Sequence, residues 1–534
     1  MPSPHPLALF SLIPLNDRAN AVLDHPNNRH LVSFIPGAEN ESNPEVLPRG
    51  LNIGLHIASK SSRTLATIGR IGDITVEGSS ISRIQCSFEI YEHTEEICLF
   101  DRSTSYSTQT FGPNALPFQL DRPARRVVIA PTVNDHFGFG GVACDLVQFQ
   151  IYWHECVLDL KKQISYREDH PCFTRTVDDE TPTALPSKRA TRIHTPAVHN
   201  TAAQGLAKQI RFYKKTMLGE GSFGEVWRAV DVDSGDLFAL KLVKWPDHGL
   251  HSHEYTMLKR EVETLAAMSH PNIVEFISAQ SLGVKHLAIF TQLKEGNIED
   301  IIKKDVFIRD RDSATSLLRH MLQALDYLAF NGIVHRDVKP ANILYTSLPA
   351  GGYTFQLADF GLCNFIVDAR TFAGSPIFMA PELLYNPGSP QTSKVDVWSL
   401  FVTLAYAMNV AGFREKPLRT NELKIRAAHD AANDASFHSI QDMAFVDPER
   451  RASAAEMLDK IFNGEGRSTP RNQISKKVSG VDDNALAPRK EQKLKITKVV
   501  QKRHGQGLEV PVTTGKHRDG ILDAVGGVRS RSYF

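Results

Sequence analysis

The stretch His335-Arg336-Asp337-Val338-Lys339-Pro340-Ala341-Asn342 sets a carboxylate, an ammonium and an amide within one short loop. Groups of those types so close together suit chemistry run by positioning and electrostatics. The carboxylate can accept a proton, the ammonium can neutralise developing negative charge, and the amide oxygen can hold a cation. Upstream, Leu317, Leu318, Met321, Leu325 and Leu328 recur at helical spacing, and Asn331-Gly332 reads as the C-cap of that helix. Downstream, Asp359-Phe360-Gly361 supplies a second carboxylate. Further upstream lies Gly219-Glu220-Gly221-Ser222-Phe223-Gly224-Glu225-Val226, whose glycines let backbone N–H groups approach phosphate oxygens without a Cβ clash. Dinucleotide-binding turns read similarly, but there the glycines open a helix. Here Val226-Trp227-Arg228-Ala229-Val230 continues as strand, which favours a hairpin, and Phe238-Ala239-Leu240-Lys241 follows.

In this order and spacing the pieces resemble the eukaryotic-type serine/threonine protein kinases. The resemblance implies a two-lobed α+β domain over residues 209–464, with an N-lobe at 209–292 and a C-lobe at 293–464. It implies ATP and Mg²⁺ as cofactors and protein serine or threonine hydroxyls as acceptors. On that resemblance Asp337 accepts the proton of the attacking hydroxyl and Lys339 neutralises charge at the γ-phosphate. Lys241 pairs with the α- and β-phosphates and is oriented by Glu261, which follows Met257 and Leu258 and precedes Val262 and Leu265 on an amphipathic helix. Asn342 and Asp359 are the expected Mg²⁺ ligands. The ATP pocket is expected to use Leu218, Gly219, Glu220, Gly221, Ser222, Gly224, Val226, Ala239 and Lys241, with Thr291 as gatekeeper and Gln292 and Leu293 as hinge. Thr371, three residues before Gly374, is the expected activating phosphosite, read by Arg336 beside Asp337. Ser375 would supply the hydroxyl of the substrate P+1 region, and with Lys339 it favours Ser/Thr over Tyr acceptors. Glu382 is expected to pair with Arg451, and Asp396 to hold the backbone of the catalytic loop.

Residues 46–158 read differently. Short apolar runs such as Leu65-Ala66-Thr67-Ile68, Cys86-Ser87-Phe88-Glu89-Ile90 and Ile97-Cys98-Leu99-Phe100 alternate with turn residues, a pattern that predicts an all-β sandwich. Ile68-Gly69-Arg70, Ile81-Ser82-Arg83-Ile84-Gln85-Cys86, Asp101-Arg102-Ser103-Thr104-Ser105 and Phe137-Gly138-Phe139-Gly140 resemble the forkhead-associated (FHA) domain, a family that binds phosphothreonine peptides. The resemblance implies that Arg70, Ser82 and Arg83 lie at one end of the sandwich and meet a phosphate dianion. Two positions depart from the family. Its histidine, three residues after the serine, is Gln85 here, and its Asn-Gly is Ser105-Tyr106. The fold survives the first change if Gln85 replaces the loop-bracing hydrogen bonds of the histidine. FHA followed by kinase resembles the FHA-bearing checkpoint kinases of DNA-damage signalling in domain order.

The expected fold class is therefore multidomain: an N-terminal all-β FHA-like sandwich and an α+β two-lobed kinase fold, with a disordered linker and tail. Residues 1–45 carry Pro2, Pro4, Pro6 and Pro14 and read as poorly ordered, 159–208 as linker, and 465–534 as a basic tail. The chain of 534 residues has a formal net charge of +1, so whole-chain attraction to nucleic acid or membrane is not expected. No signal peptide is read at the start, and no apolar run is long enough to span a membrane. The six cysteines form no C-x-x-C pair, which argues against zinc and a secreted disulfide scaffold. Nucleus and/or cytoplasm is the expected location. Expected partners are protein substrates, a phosphothreonine-containing protein and a transient homodimer. An adaptor whose kinase domain only docks is the alternative reading.

Overall fold

The computed structural model describes residues 3–36, 47–119, 124–141, 145–155, 159–168, 209–221, 224–244, 262–282, 286–359, 376–385 and 391–474. In the N-terminal region two sheets pack face to face. One has the order β2 (Val32–Phe34), β3 (Arg49–Gly54), β1 (Ala8–Pro14), β11 (Val147–Trp153), β10 (His136–Phe139), β8 (Gln109–Phe111). The other runs β5 (Ile74–Thr75), β4 (Thr64–Gly69), β6 (Cys86–Ile90), β7 (Ile97–Asp101), β9 (Arg126–Val128). Among the described residues of these two sheets, only the short β4–β5 pairing is parallel. Phe10, Phe88, Phe137 and Phe149 interleave between the sheets, with Phe88 edge-on to Phe10 at 5.1 Å and to Phe137 at 5.4 Å. Such aromatic pairs add specificity to apolar burial.

The expectation of poor order over residues 1–45 is corrected here. Strand β1 sits between β3 and β11, and Ala8, Leu9, Phe10 and Leu12 are buried. Pro14 closes this strand rather than breaking order: a proline at a strand end costs no interior ladder hydrogen bond. The sandwich is also not purely β. Helix Asp17–Asp24, capped by the Asn16 side chain on Ala19 N–H, buries Ala19, Val22 and Leu23 against the same core. The linker starts later than 159. Helix Leu160–Ser165 is capped by Asp159, Leu160 and Ile164 pack on the sandwich, and Arg167 donates to the carbonyls of Ile57, Ser62 and Thr64. Residues 169–208 lie outside the described residues.

The second region opens with an antiparallel sheet in the order β12 (Phe212–Gly221), β13 (Gly224–Asp231), β14 (Leu237–Lys244), β16 (His286–Gln292), β15 (Phe276–Leu282). Alternation splits its apolar residues between two faces. Phe238, Leu240, Leu242 and Phe290 line one, while Val243, Leu287 and Ile289 line the other against Val262 and Leu265. Below it, helices surround a small sheet of β17 (Gly296–Asn297), β18 (Ile343–Ser347) and β19 (Tyr353–Leu357). Helix Lys394–Ala407 is buried on nearly every side and forms the centre of this lobe. Helix Arg311–Phe330 buries Leu317, Leu318, Met321, Leu325 and Leu328, as the spacing predicts. It ends in a Schellman turn at the predicted Asn331-Gly332: Ile333 N–H reaches Leu328 C=O and Gly332 N–H reaches Ala329 C=O.

The segment after 464 is not tail at once. Ser468 and Thr469 donate their backbone N–H groups to the nearly fully buried carboxylate of Asp326, and Thr469 Oγ1 adds a third hydrogen bond at 2.6 Å. Residues 475–534 lie outside the described residues. Among the described residues, no helix is long and apolar enough to cross a membrane.

Candidate active site

The quoted loop lies between helix Arg311–Phe330 and β18, and its own short 3₁₀ turn, Pro340–Asn342, leads into the strand. Its backbone is hung from Asp396 at the start of the central helix. Asp396 Oδ2 accepts from His335 N–H at 2.8 Å and Oδ1 from Arg336 N–H at 2.7 Å. Burial pushes this carboxyl up, while the two backbone N–H groups pull the other way. The support matters because Arg336 has φ +69°, a left-handed backbone that a non-glycine residue holds only when its surroundings impose it.

Asp337 is where the loop converges. Its Oδ2 accepts from Lys339 Nζ at 2.8 Å and from Asn342 Nδ2 at 2.9 Å. Asn342 Nδ2 also reaches the carbonyl of Asp337, so the amide oxygen is the atom Asn342 offers to other groups. Asp359 follows β19, also with a positive φ of 60°, and its Oδ1 accepts from Lys241 Nζ at 2.7 Å. That ion pair joins the sheet of the upper lobe to the loops of the lower one. Two further bonds tie the loops together: Ala358 N–H to Asn342 C=O at 2.8 Å, and His335 Nε2 with Ala358 C=O at 2.9 Å. The part played by His335 was missed from sequence, although the residue opens the quoted stretch. Its ring is buried; Nδ1 accepts from Asp337 N–H, and the bond that ties the loops goes to a distant backbone carbonyl that carries no local signal.

The glycine-rich segment forms the predicted hairpin rather than opening a helix, pairing Gly219 with Val226 and Gly221 with Gly224. Gly224 has φ +137°, and a Cβ there would lie 1.9 Å from the Leu242 carbonyl oxygen, so glycine is obligatory. Leu218 is exposed at the rim, beside Gly219 and Glu220. Val226 pairs with Lys241, and Ala239 pairs with Thr291, which brings hairpin, lysine strand and the approach to Leu293 into one sheet. Arg451 is buried and forks onto Glu382 at 2.7 and 2.9 Å. Glu261, Ser222, Thr371 and Ser375 lie outside the described residues.

In the sandwich, Arg70 N–H bonds Ser82 C=O and Ile71 N–H bonds Arg83 C=O, which zips the two candidate loops together. Arg70 and Arg83 are exposed. Gln85 is fully buried and braces the loops: its Oε1 accepts from Ser82 N–H at 3.1 Å, and its Nε2 donates to Ser107 Oγ and Thr108 Oγ1, both at 3.0 Å. An amide supplies one acceptor and two donors, enough to hold three points at once. Tyr106, where the family has its Asn-Gly, is exposed with φ +53°, and the Arg125 guanidinium lies over its ring at 4.6 Å. Arg125, which also pairs with Asp101, was not singled out from sequence.

Comparison with known proteins agrees with the lower-lobe geometry. Residues 212–465 match the family model described as "Protein kinase domain". The mouse serine/threonine-protein kinase DCLK2 is 27% identical over 285 residues, covering 51% of this chain and 37% of that protein. The calcium/calmodulin-dependent protein kinase type II of Caenorhabditis elegans is 34% identical over 258 residues, covering 46% of this chain and 35% of that one. The chain thus spans little more than a third of these relatives. A solved structure of Rad53 1-466 in complex with AMP-PNP is 20% identical with a TM-score of 0.48, covering 78% of this chain and 96% of that one. Residues 212–465 are a protein kinase domain of the serine/threonine class.

Proposed function

We propose that the protein transfers the γ-phosphate of ATP, with Mg²⁺, to serine and threonine hydroxyls of protein substrates in the nucleus or cytoplasm. The observation that carries this reading is the convergence of Lys339 and Asn342 on Asp337, in a loop suspended from Asp396. Asp337 takes the proton of the attacking hydroxyl at Oδ2, and Lys339 Nζ shifts from it to the transferred group as negative charge develops. Lys241 stands across the cleft on the other lobe, held by Asp359. Mg²⁺, when bound, neutralises phosphate charge. The Asn342 amide oxygen and the Asp359 carboxylate are the hard oxygen donors that suit it. Arg336 is exposed beside Asp337, ready for a phosphate on Thr371.

The sandwich we read as an FHA-like module that recruits a phosphothreonine-containing protein, in signalling of the DNA-damage type. The Gln85 brace supports it, since it holds the Ser82-Arg83 loop against the Ser107-Thr108 segment as the family's histidine would.

The test is radiolabelled phosphate transfer from Mg-ATP, wild type against Asp359→Asn, with phosphosites read by mass spectrometry. Phosphate on Ser and Thr that disappears in the variant is expected. No transfer, even after another kinase has phosphorylated Thr371, would make the docking adaptor the better reading. Binding of a phosphothreonine peptide library to the full chain, lost on Arg70→Ala, tests the recruiting module.

A further inference from the structure

The sandwich grips the base of the glycine-rich hairpin. On β12, Tyr213 Oη donates to Glu96 Oε2 at 2.6 Å, and Lys215 Nζ pairs with Glu96 Oε1. Glu96 precedes β7 of the sandwich and is almost fully buried. On β13, Val230 packs against Cys98 and Val128, all three without exposure. The turn between β13 and β14 is held as well. Val232 is buried in the sandwich core, and its carbonyl accepts from Val128 N–H at 2.8 Å. Thr94 Oγ1 donates to Gly235 C=O at 2.7 Å, and Tyr91 Oη donates to Asp236 Oδ1 at 3.0 Å. Gly235 has φ +84°, and a Cβ there would meet the Tyr91 ring at 3.0 Å, so the approach needs glycine.

Tyr213 pairs with Val230 across the β12–β13 ladder, so both strands are fixed at the same level. The glycines at the other end of this ladder lie roughly 20 Å away at about 3.3 Å per residue. A two-stranded ribbon twists easily along its length, and clamping its base sets the direction in which its tip extends. Burial and the Glu96 carboxylate both push the Tyr213 phenol up, so it remains a hydrogen-bond donor across the neutral range.

We propose that Glu96 is a positioning residue for the nucleotide site: from outside the kinase domain it anchors β12 and thereby aims the glycine-rich hairpin over the phosphates. The proposal rests on the kinase reading, and its readouts are chosen so that the two can fail separately.

In the full chain, the affinity for a fluorescent ATP analogue with Mg²⁺ is measured by titration, alongside the steady-state KM for ATP, kcat and the melting temperature. Glu96→Ala, which removes the contacts to both Tyr213 and Lys215, is expected to weaken nucleotide binding and raise KM about fivefold with kcat within about twofold. Glu96→Gln, which still accepts from Tyr213, is expected to recover most of the affinity. Tyr213→Phe should raise KM about two- to threefold, and in the double variant Glu96→Ala/Tyr213→Phe the effects should not add, because the two residues share one contact. A lowered melting temperature with unchanged nucleotide affinity and KM, at a temperature where the variant is folded, would overturn the proposal and leave Glu96 a merely structural residue. If Glu96→Ala does not fold, Tyr213→Phe decides by the same readouts. Loss of phosphate transfer in the wild type with nucleotide binding intact would count against the kinase reading alone, since the binding titration still tests the clamp.

Discussion

At the residue scale, Arg451 shows how a distant partner turns a charge into structure. Besides Glu382, it donates to the carbonyls of Lys394, Phe445 and Val446, so its guanidinium satisfies a carboxylate and three backbone groups in a site with no exposure. Arg451→Ala should cost about 3–5 kcal/mol in urea unfolding of the kinase domain, because it leaves a poorly solvated carboxylate unpaired. Lysine should not restore this, as a single ammonium cannot fork. Gln85 makes the matching point in the sandwich. Gln85→Leu should destabilise the sandwich by about 1–3 kcal/mol, the range for leaving buried partners unsatisfied. Gln85→His should retain most of the stability, with both variants compared by thermal melting. Sequence alone marks position 85 only as a departure from the FHA resemblance. The three bonds of its amide show what the side chain does in this fold.

At the element scale, the glycine-rich hairpin was legible because its glycines are followed by a β-branched and aromatic run rather than a helical period. Gly224→Ala should cut phosphate transfer by at least about tenfold, since the added methyl group forces the hairpin off β14. A wild-type rate would contradict the observed pairing. Segment 465–474 was not legible. Gln323 holds Glu465 C=O and Arg467 pairs with Asp459, while Ser468 and Thr469 hang on the Asp326 carboxylate of the long helix, so Asp326→Ala should loosen the segment from Ser468 onward, seen as new proteolytic cleavage there with the kinase core intact. Strand β1 escaped for a similar reason: prolines around it resemble those of a disordered segment until the neighbouring strands are known.

At the scale of the whole molecule, half-buried histidines should make the fold acid-sensitive. Burial, the stacked His5 ring at 4.3 Å and the positive charge of Arg167 push His56 down to about 4. His154, His270, His320 and His429 are lowered by burial in the same direction. Each therefore binds its proton more readily unfolded than folded, so their contribution is complete above about pH 6.5. It is lost as the pH falls from there toward 4. The melting temperature should drop over that window, and His56→Phe should flatten the part that belongs to the sandwich. A melting temperature that holds steady from pH 7 to 4.5 would refute this.

By itself the sequence determined the two regions, their order, the kinase class of the second and the loop at its centre. Those features are written in local period and in motifs whose spacing the chemistry requires. Tertiary structure alone decided that Asp396 carries the loop, that Lys241 meets Asp359, and that Glu96 of one region holds β12 of the other. Each of these joins residues far apart along the chain. Such contacts leave no periodic trace, because a single buried charge needs only one partner, and folding can bring that partner from anywhere in the chain.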